Sequence, residues 1–154
     1  MQLPKEYFDL LNSQKLMAVA TFGEHPWIAW VYYVADDQGN LYFISSPKTI
    51  HGQHIMQNQQ VSCAIADTSQ NPVDSKKGIQ LFGTVDVVSG VGKLKWFFKM
   101  WAKIAPGTTD ILNFKTFDAG KLESNVYRVT PTKIRFFNEA LYQDAEAEGL
   151  FEED

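Results

Sequence analysis

Residues 40–66, NLYFISSPKTIHGQHIMQNQQVSCAIA, decide the fold of this chain. Leu41-Tyr42-Phe43-Ile44 is an aromatic, apolar run that reads as a strand, and Val61 to Ala66 reads as a second one. Between them the sequence predicts a short helix from about Pro47 to Asn58, with Ser46 as its N-cap and Pro47 at its first position. The first N–H groups of such a helix have no partner within it, and the positive end of the helix dipole lies beside them. Together with the hydroxyls of Ser45, Ser46 and Thr49 and the ammonium of Lys48, they form what a phosphate needs. The same residues also read simply as a well-capped helix start, and the surrounding order of elements has to arbitrate.

Outward from this stretch, Lys5 to Asn12 is expected as an opening helix with Tyr7, Phe8, Leu10 and Leu11 on its apolar side. Leu16 to Phe22 and Trp27 to Val34 are expected strands around a Gly23–Pro26 turn, and Asp36 to Asn40 is a hairpin loop. Ile79 to Val88 follows as a further strand, in which Gly83 marks a bulge or a corner. A second helix is expected from about Gly92 to Ile104, a further short one from Asp110 to Phe117, and closing strands at Ser124–Thr130 and Lys133–Phe137 around a turn at Pro131. The segment from Asp144 to Asp154 is acidic and contains no base. Short strands, one helix between the third and fourth and another after the fifth, predict a mainly β (α+β) fold, a small antiparallel Greek-key barrel in a single domain.

Composition removes several function classes. The 154 residues are 45% hydrophobic, enough for one proper core, and carry a formal net charge of −4. Arginine occurs only at Arg128 and Arg135, so a nucleic-acid groove has little to be built from. The one cysteine, Cys63, sits in an apolar run and reads as a buried thiol; it permits no intrachain disulfide, and a reducing, cytoplasmic setting is expected. No signal-peptide pattern opens the sequence and no apolar run has membrane length. His51 and His54 are spaced to share a metal but lack a third ligand, so no metal site is expected. Lys93, Lys95, Lys99 and Lys103 share a helix with Trp96, Phe97, Phe98 and Trp101, but aromatics on more than one face fit a helix wedged between its own barrel and a partner subunit better than one lying on a membrane. No nucleophile-and-base set is present, and no catalytic residue is assigned.

The succession Trp30-Val31-Tyr32-Tyr33, Gly39-Asn40-Leu41-Tyr42-Phe43, Ser45-Ser46-Pro47-Lys48-Thr49 with His51, Asn58 followed by Val61-Ser62, and Ile79-Gln80-Leu81-Phe82-Gly83-Thr84 resembles the pyridoxamine 5′-phosphate oxidase-like, FMN-binding split-barrel family. The resemblance implies a six-stranded split barrel and a homodimer with two FMN molecules in clefts at the subunit interface. It places the FMN phosphate against Ser45 or Ser46, Lys48, Thr49 and His51. It lays the flavin ring along backbone groups of Ala29, Trp30 and Val31, with Gln80 offering an amide to a flavin carbonyl or ribityl hydroxyl. The chain departs from the family at Ala29 and Ile50, where many relatives have arginine, and at His51, where lysine or arginine is usual. The implied function is FMN binding, with flavin-dependent oxidation or reduction of a small molecule. The alternatives are a non-catalytic FMN carrier or sensor, and a haem- or deazaflavin-binding barrel, the haem reading leaning on His25, His51 or His54. Pyridoxamine-phosphate oxidation itself is not expected, because an acidic end replaces the basic C-terminal segment of such enzymes.

Overall fold

Period-two alternation shapes most of the chain. In the computed structural model, which describes residues 1–143 and 148–153, the elements run α1 (Lys5–Ser13), β1 (Leu16–Phe22), β2 (Pro26–Tyr32), β3 (Val34–Ala35), β4 (Leu41–Ser45), α2 (Ile50–Gln57), β5 (Gln60–Ala66) and β6 (Lys77–Val87). They continue with α3 (Val91–Ile104), a 3₁₀ turn at Pro106–Thr108, α4 (Phe114–Asp118), β7 (Asn125–Asn138) and β8 (Glu148–Glu152). All strands belong to one eight-stranded antiparallel sheet in the order β2-β1-β5-β6-β7-β4-β3, with β8 paired to β7. The sheet curls into a half barrel. The mainly β class and the antiparallel barrel are therefore as expected, with eight strands in place of six.

The departures from the expected strands have identifiable causes. Tyr33, with its ring buried and its hydroxyl donating to Leu11 O, separates the expected Trp27–Val34 strand into β2 and β3, though its N–H still bonds Lys15 O. Part of the segment expected as an acidic tail pairs with β7 as β8, Ile134 opposite Phe151 and Arg135 opposite Leu150. Residues 144–147 and 154 of that segment lie outside the described residues. Pro131, expected to turn the chain, instead sits inside the fourteen-residue β7. It pairs with Gly83, and the register slips between Phe82 and Gly83, leaving Thr132 as the bulged residue. Proline has no N–H for a ladder and is tolerated where the ladder is broken. Gly83 is required there because any Cβ would run into the carbonyl oxygen of Thr130. The bulge bends β7 so that its first half pairs with β4 and its second half with β8.

Two apolar clusters hold the molecule. Alternate residues Met17 and Val19 of β1, Val61, Cys63 and Ile65 of β5, Ile79, Leu81 and Val85 of β6, and Ile134 and Phe136 of β7 fill the barrel, and α1 closes it with Tyr7, Leu10 and Leu11. On the other side of the sheet, Leu94, Phe97, Phe98 and Trp101 of α3 pack on Val34, Tyr42 and Val126. Truncating a ring such as Phe97 to alanine costs about 3–5 kcal/mol. The apolar side of α3 thus packs on its own sheet, with Lys95, Lys99 and Lys103 exposed on the other side. Among the described residues no helix is long and apolar enough to cross a membrane. The helix expected from Asp110 to Phe117 is shorter and later, because Asn113 accepts the Thr116 N–H and caps α4.

Candidate functional site

The start of α2 is built differently from the sequence expectation, and the difference defines the site. Ser46 Oγ accepts the Lys48 N–H at 3.2 Å, so Ser46 to Lys48 form a turn outside the helix. Thr49 caps the helix in place of Ser46: its Oγ1 accepts the Gly52 N–H at 3.0 Å and donates to Ser46 O at 2.9 Å. The helix accordingly runs from Ile50 to Gln57, one turn shorter than expected at its start, and Pro47 lies outside it. Thr49 O also takes the Gln53 N–H. Of the four N-terminal donors, Thr49 and Gly52 have partners, and those of Ile50 and His51 have none among the described residues. The Thr49 hydroxyl is engaged at both ends, whereas among the described residues the Ser46 hydroxyl acts only as an acceptor.

Gly52 makes this geometry fit, and sequence reasoning missed it. A Cβ there would stand 2.7 Å from Ser46 O and 2.9 Å from Pro47 C, so only glycine lets the turn lie this close to the helix. His51 Nε2 stands 2.7 Å from Ser45 Oγ. Burial, and then the neighbouring His54, hold the His51 pKa below its ordinary value, so it is a neutral imidazole at pH 7. In one tautomer Ser45 donates to Nε2; in the other Nε2 carries the proton and the serine proton is free to meet an anion. Lys48 Nζ lies 3.1 Å from Glu123 Oε2, with both side chains largely exposed.

The structure also gathers all three histidines at this end of the barrel. His54 Nδ1 lies 3.0 Å from the buried Thr21 Oγ1, and the His25 ring stands edge-on to His54 with 6.2 Å between centroids. Gly23 adjoins the His54 ring, and a side chain there would overlap it. Among the described residues no three His, Cys, Asp or Glu side chains are grouped to hold a metal ion.

Helix α2 packs on β1 and β2. Strand β2 is the terminal strand of the sheet, so a row of its N–H and C=O groups faces no ladder partner. Ala29 and Val31 point toward the barrel interior and Trp30 outward. Gln80 sits elsewhere. The paired row Trp30–Ala18–Ala64–Gln80–Arg135–Leu150 crosses the outer face of the sheet. Gln80 is therefore three inter-strand steps, about 14 Å, from Trp30. Its Oε1 accepts from Arg135 Nη1 at 3.4 Å. Ala18, Ala20, Ser62 and Ala64 floor a groove of about 510 Å³ there, walled by Ile28 on one side and Phe82 and Leu150 on the other. The outward alanines at every second position of β1 and β5 are the sequence signal for this groove.

A curled antiparallel half barrel with a capped helix after its fourth strand defines a split-barrel protein. The chain belongs to the pyridoxamine 5′-phosphate oxidase family, whose family model matches residues 3–138. No curated protein matches it in sequence. In structure it is similar to a conserved hypothetical protein of Mycobacterium tuberculosis, with 18% identity over 90% of this chain and 86% of that one and a TM-score of 0.72. It is also similar to a FAD-binding protein of Mesorhizobium loti, with 16% identity, 86% and 92% coverage and a TM-score of 0.65. A haem-binding protein of Mycobacterium smegmatis shares 13% identity over 99% of this chain and 60% of that one, with a TM-score of 0.72. At these identities the likeness concerns the fold.

Proposed function

We propose that this protein binds FMN, with the phosphate at the start of α2 and the flavin ring along the free edge of β2. The reading is supported above all by the start of α2, where Thr49 caps the helix and the Ser46–Lys48 turn folds against it, in a sheet whose terminal strand β2 has one side without a ladder partner. The groups at this helix start fit a phosphate monoester by hydrogen bonding more than by charge, because Ile50 and the neutral His51 replace the cations that many relatives carry. The edge of β2 supplies backbone donors and acceptors for the pyrimidine end of the ring, which Ala29 does not disturb since its side chain is not needed for them. Gln80, three strands away from β2, is not part of this site within one copy of the chain.

When bound, FMN supplies hydride or single-electron chemistry that no side chain here can. The residues of this chain hold its phosphate, orient its ring and screen one face from water, and the reading is a cytoplasmic oxidoreductase acting on a small molecule. It is completed by a second copy of the chain. Ile28 and Trp30 are 65% and 67% exposed, and Tyr32, Phe82 and Leu150 add to the same outer face. An apolar face of that kind needs a cover. A two-fold arrangement sets the Ile28–Trp30 ridge of each copy into the alanine-floored groove of the other.

Titration of the ligand-stripped protein with FMN, with riboflavin as control, tests this. Preferential FMN binding with quenched emission supports it, and NADH or NADPH reduction rates then separate an oxidoreductase from a carrier. Equal or absent binding refutes the phosphate site. The convergence of His25, His51 and His54 favours haem as the second reading, and a Soret band on haem titration that is lost in His54→Ala would replace the first.

A further inference from the structure

Lys48 is the one lysine or arginine in the proposed phosphate pocket, and it is already engaged. Its Nζ stands 3.1 Å from Glu123 Oε2, and it forms no other ion pair among the described residues. The pairing is set by the sheet: Asn125, the first residue of β7, lies opposite Ser45 at the end of β4, so the segment just before β7 is delivered to the mouth of the pocket. Ile50 brings no charge, and burial keeps His51 neutral at pH 7. The side chains around the pocket therefore carry one positive and one negative charge. A phosphate reaching Lys48 has to displace the carboxylate or share the ammonium with it, and like charges close together oppose each other whichever happens.

We propose that Glu123 is a specificity-determining residue of this pocket, a resident carboxylate that competes with the ligand's phosphate for Lys48 and keeps the phosphorylated flavin in exchange with solution. The inference rests on the phosphate-site reading above. Its chemistry does not require Glu123 to touch the flavin ring, so riboflavin is indifferent to it. Because the pair is solvent-exposed, its strength is that of a surface pair, and removing it changes affinity by a few-fold.

The test compares FMN and riboflavin affinities of the wild type, Glu123→Gln and Glu123→Lys, at one pH and at low salt. The expected result is FMN binding about three- to five-fold tighter in Glu123→Gln and tighter again in Glu123→Lys, a slower FMN off-rate, and riboflavin unchanged. Both positions are exposed, so thermal melts should match the wild type. A wild type that prefers FMN while neither substitution alters the preference overturns the role of Glu123 and leaves the phosphate site standing. A protein in which all three forms bind FMN and riboflavin alike overturns both.

Discussion

Gly52→Ala is the substitution that most directly interrogates the α2 start. Within a helix, alanine is intrinsically favoured over glycine by about 1 kcal/mol. At position 52 the added methyl would stand 2.7 Å from Ser46 O and 2.9 Å from both the carbonyl carbon and Cα of Pro47. All three are backbone atoms, so the Ser46–Lys48 turn must withdraw by about half an ångström or more to restore ordinary contact. Overpacking of this kind costs about 1–3 kcal/mol, which leaves a net destabilisation of about 0–2 kcal/mol. The control is Gly92→Ala in α3, where a Cβ meets nothing within 4 Å and stability should hold or rise. Withdrawal of the turn also carries off the Ser46 hydroxyl and Lys48. A charge-assisted hydrogen bond contributes about 1.5–3 kcal/mol, so partial loss should weaken FMN by about ten-fold. Riboflavin should change by less than about two-fold, since only the phosphate end moves. Urea unfolding of both variants and flavin titration of Gly52→Ala give the answer. If Gly52→Ala were as stable as Gly92→Ala and bound FMN like the wild type, the turn would not be packed on α2 and would not carry the phosphate.

Three other outcomes are expected. Burial pushes the Cys63 thiol up to about 12 and raises the Tyr7 and Tyr33 hydroxyls as well, while their unfolded counterparts ionise near 9 and 10. Stability should thus be intact below pH 9 and fall as pH rises above it, and a urea midpoint that holds steady through pH 10.5 would contradict this. Tyr7 OH is buried with no hydrogen-bond partner among the described residues, so Tyr7→Phe should be neutral or stabilising by about 1 kcal/mol, checked by the same unfolding curves; a loss of more than about 1 kcal/mol would reveal a partner for it. Ile28→Lys places a charge on the exposed apolar ridge and should shift sedimentation toward the monomer and reduce flavin binding with it; a variant that sediments like the wild type would remove this face from the subunit contact.

The fold was legible because its signals are local and repeated: alternation in β1, β5 and β6, the aromatic run of β4 and the lysine-flanked helix α3 all read directly. Gly83 as a bulge was legible for the same reason, since a glycine inside an apolar strand has few other uses. What escaped depends on partners distant in sequence. Pro131 looks like a turn until Gly83 stands opposite it, and β8 looks like a tail until β7 offers it an edge. At the site, Ser46 and Thr49 are both good caps, and which one wins depends on whether the Ser46 hydroxyl is taken by the Lys48 N–H. Glu123 and Gly52 carried no signal of their own; each matters only through the close approach of a segment that the chain order does not reveal.

Strand β7 joins residues far apart in the chain, since Leu41 of β4 pairs with Val129. The same strand is the whole-length neighbour of β6 and the partner of β8. On the ribosome, β1 to β6 emerge with no means of closing the barrel, and the facing edges of β4 and β6 stay open until the segment after Asn125 appears. Folding is then gated by the arrival of one late strand, and a transcript or protease that ends the chain before Asn125 would leave two unpaired sheet edges rather than a smaller working domain.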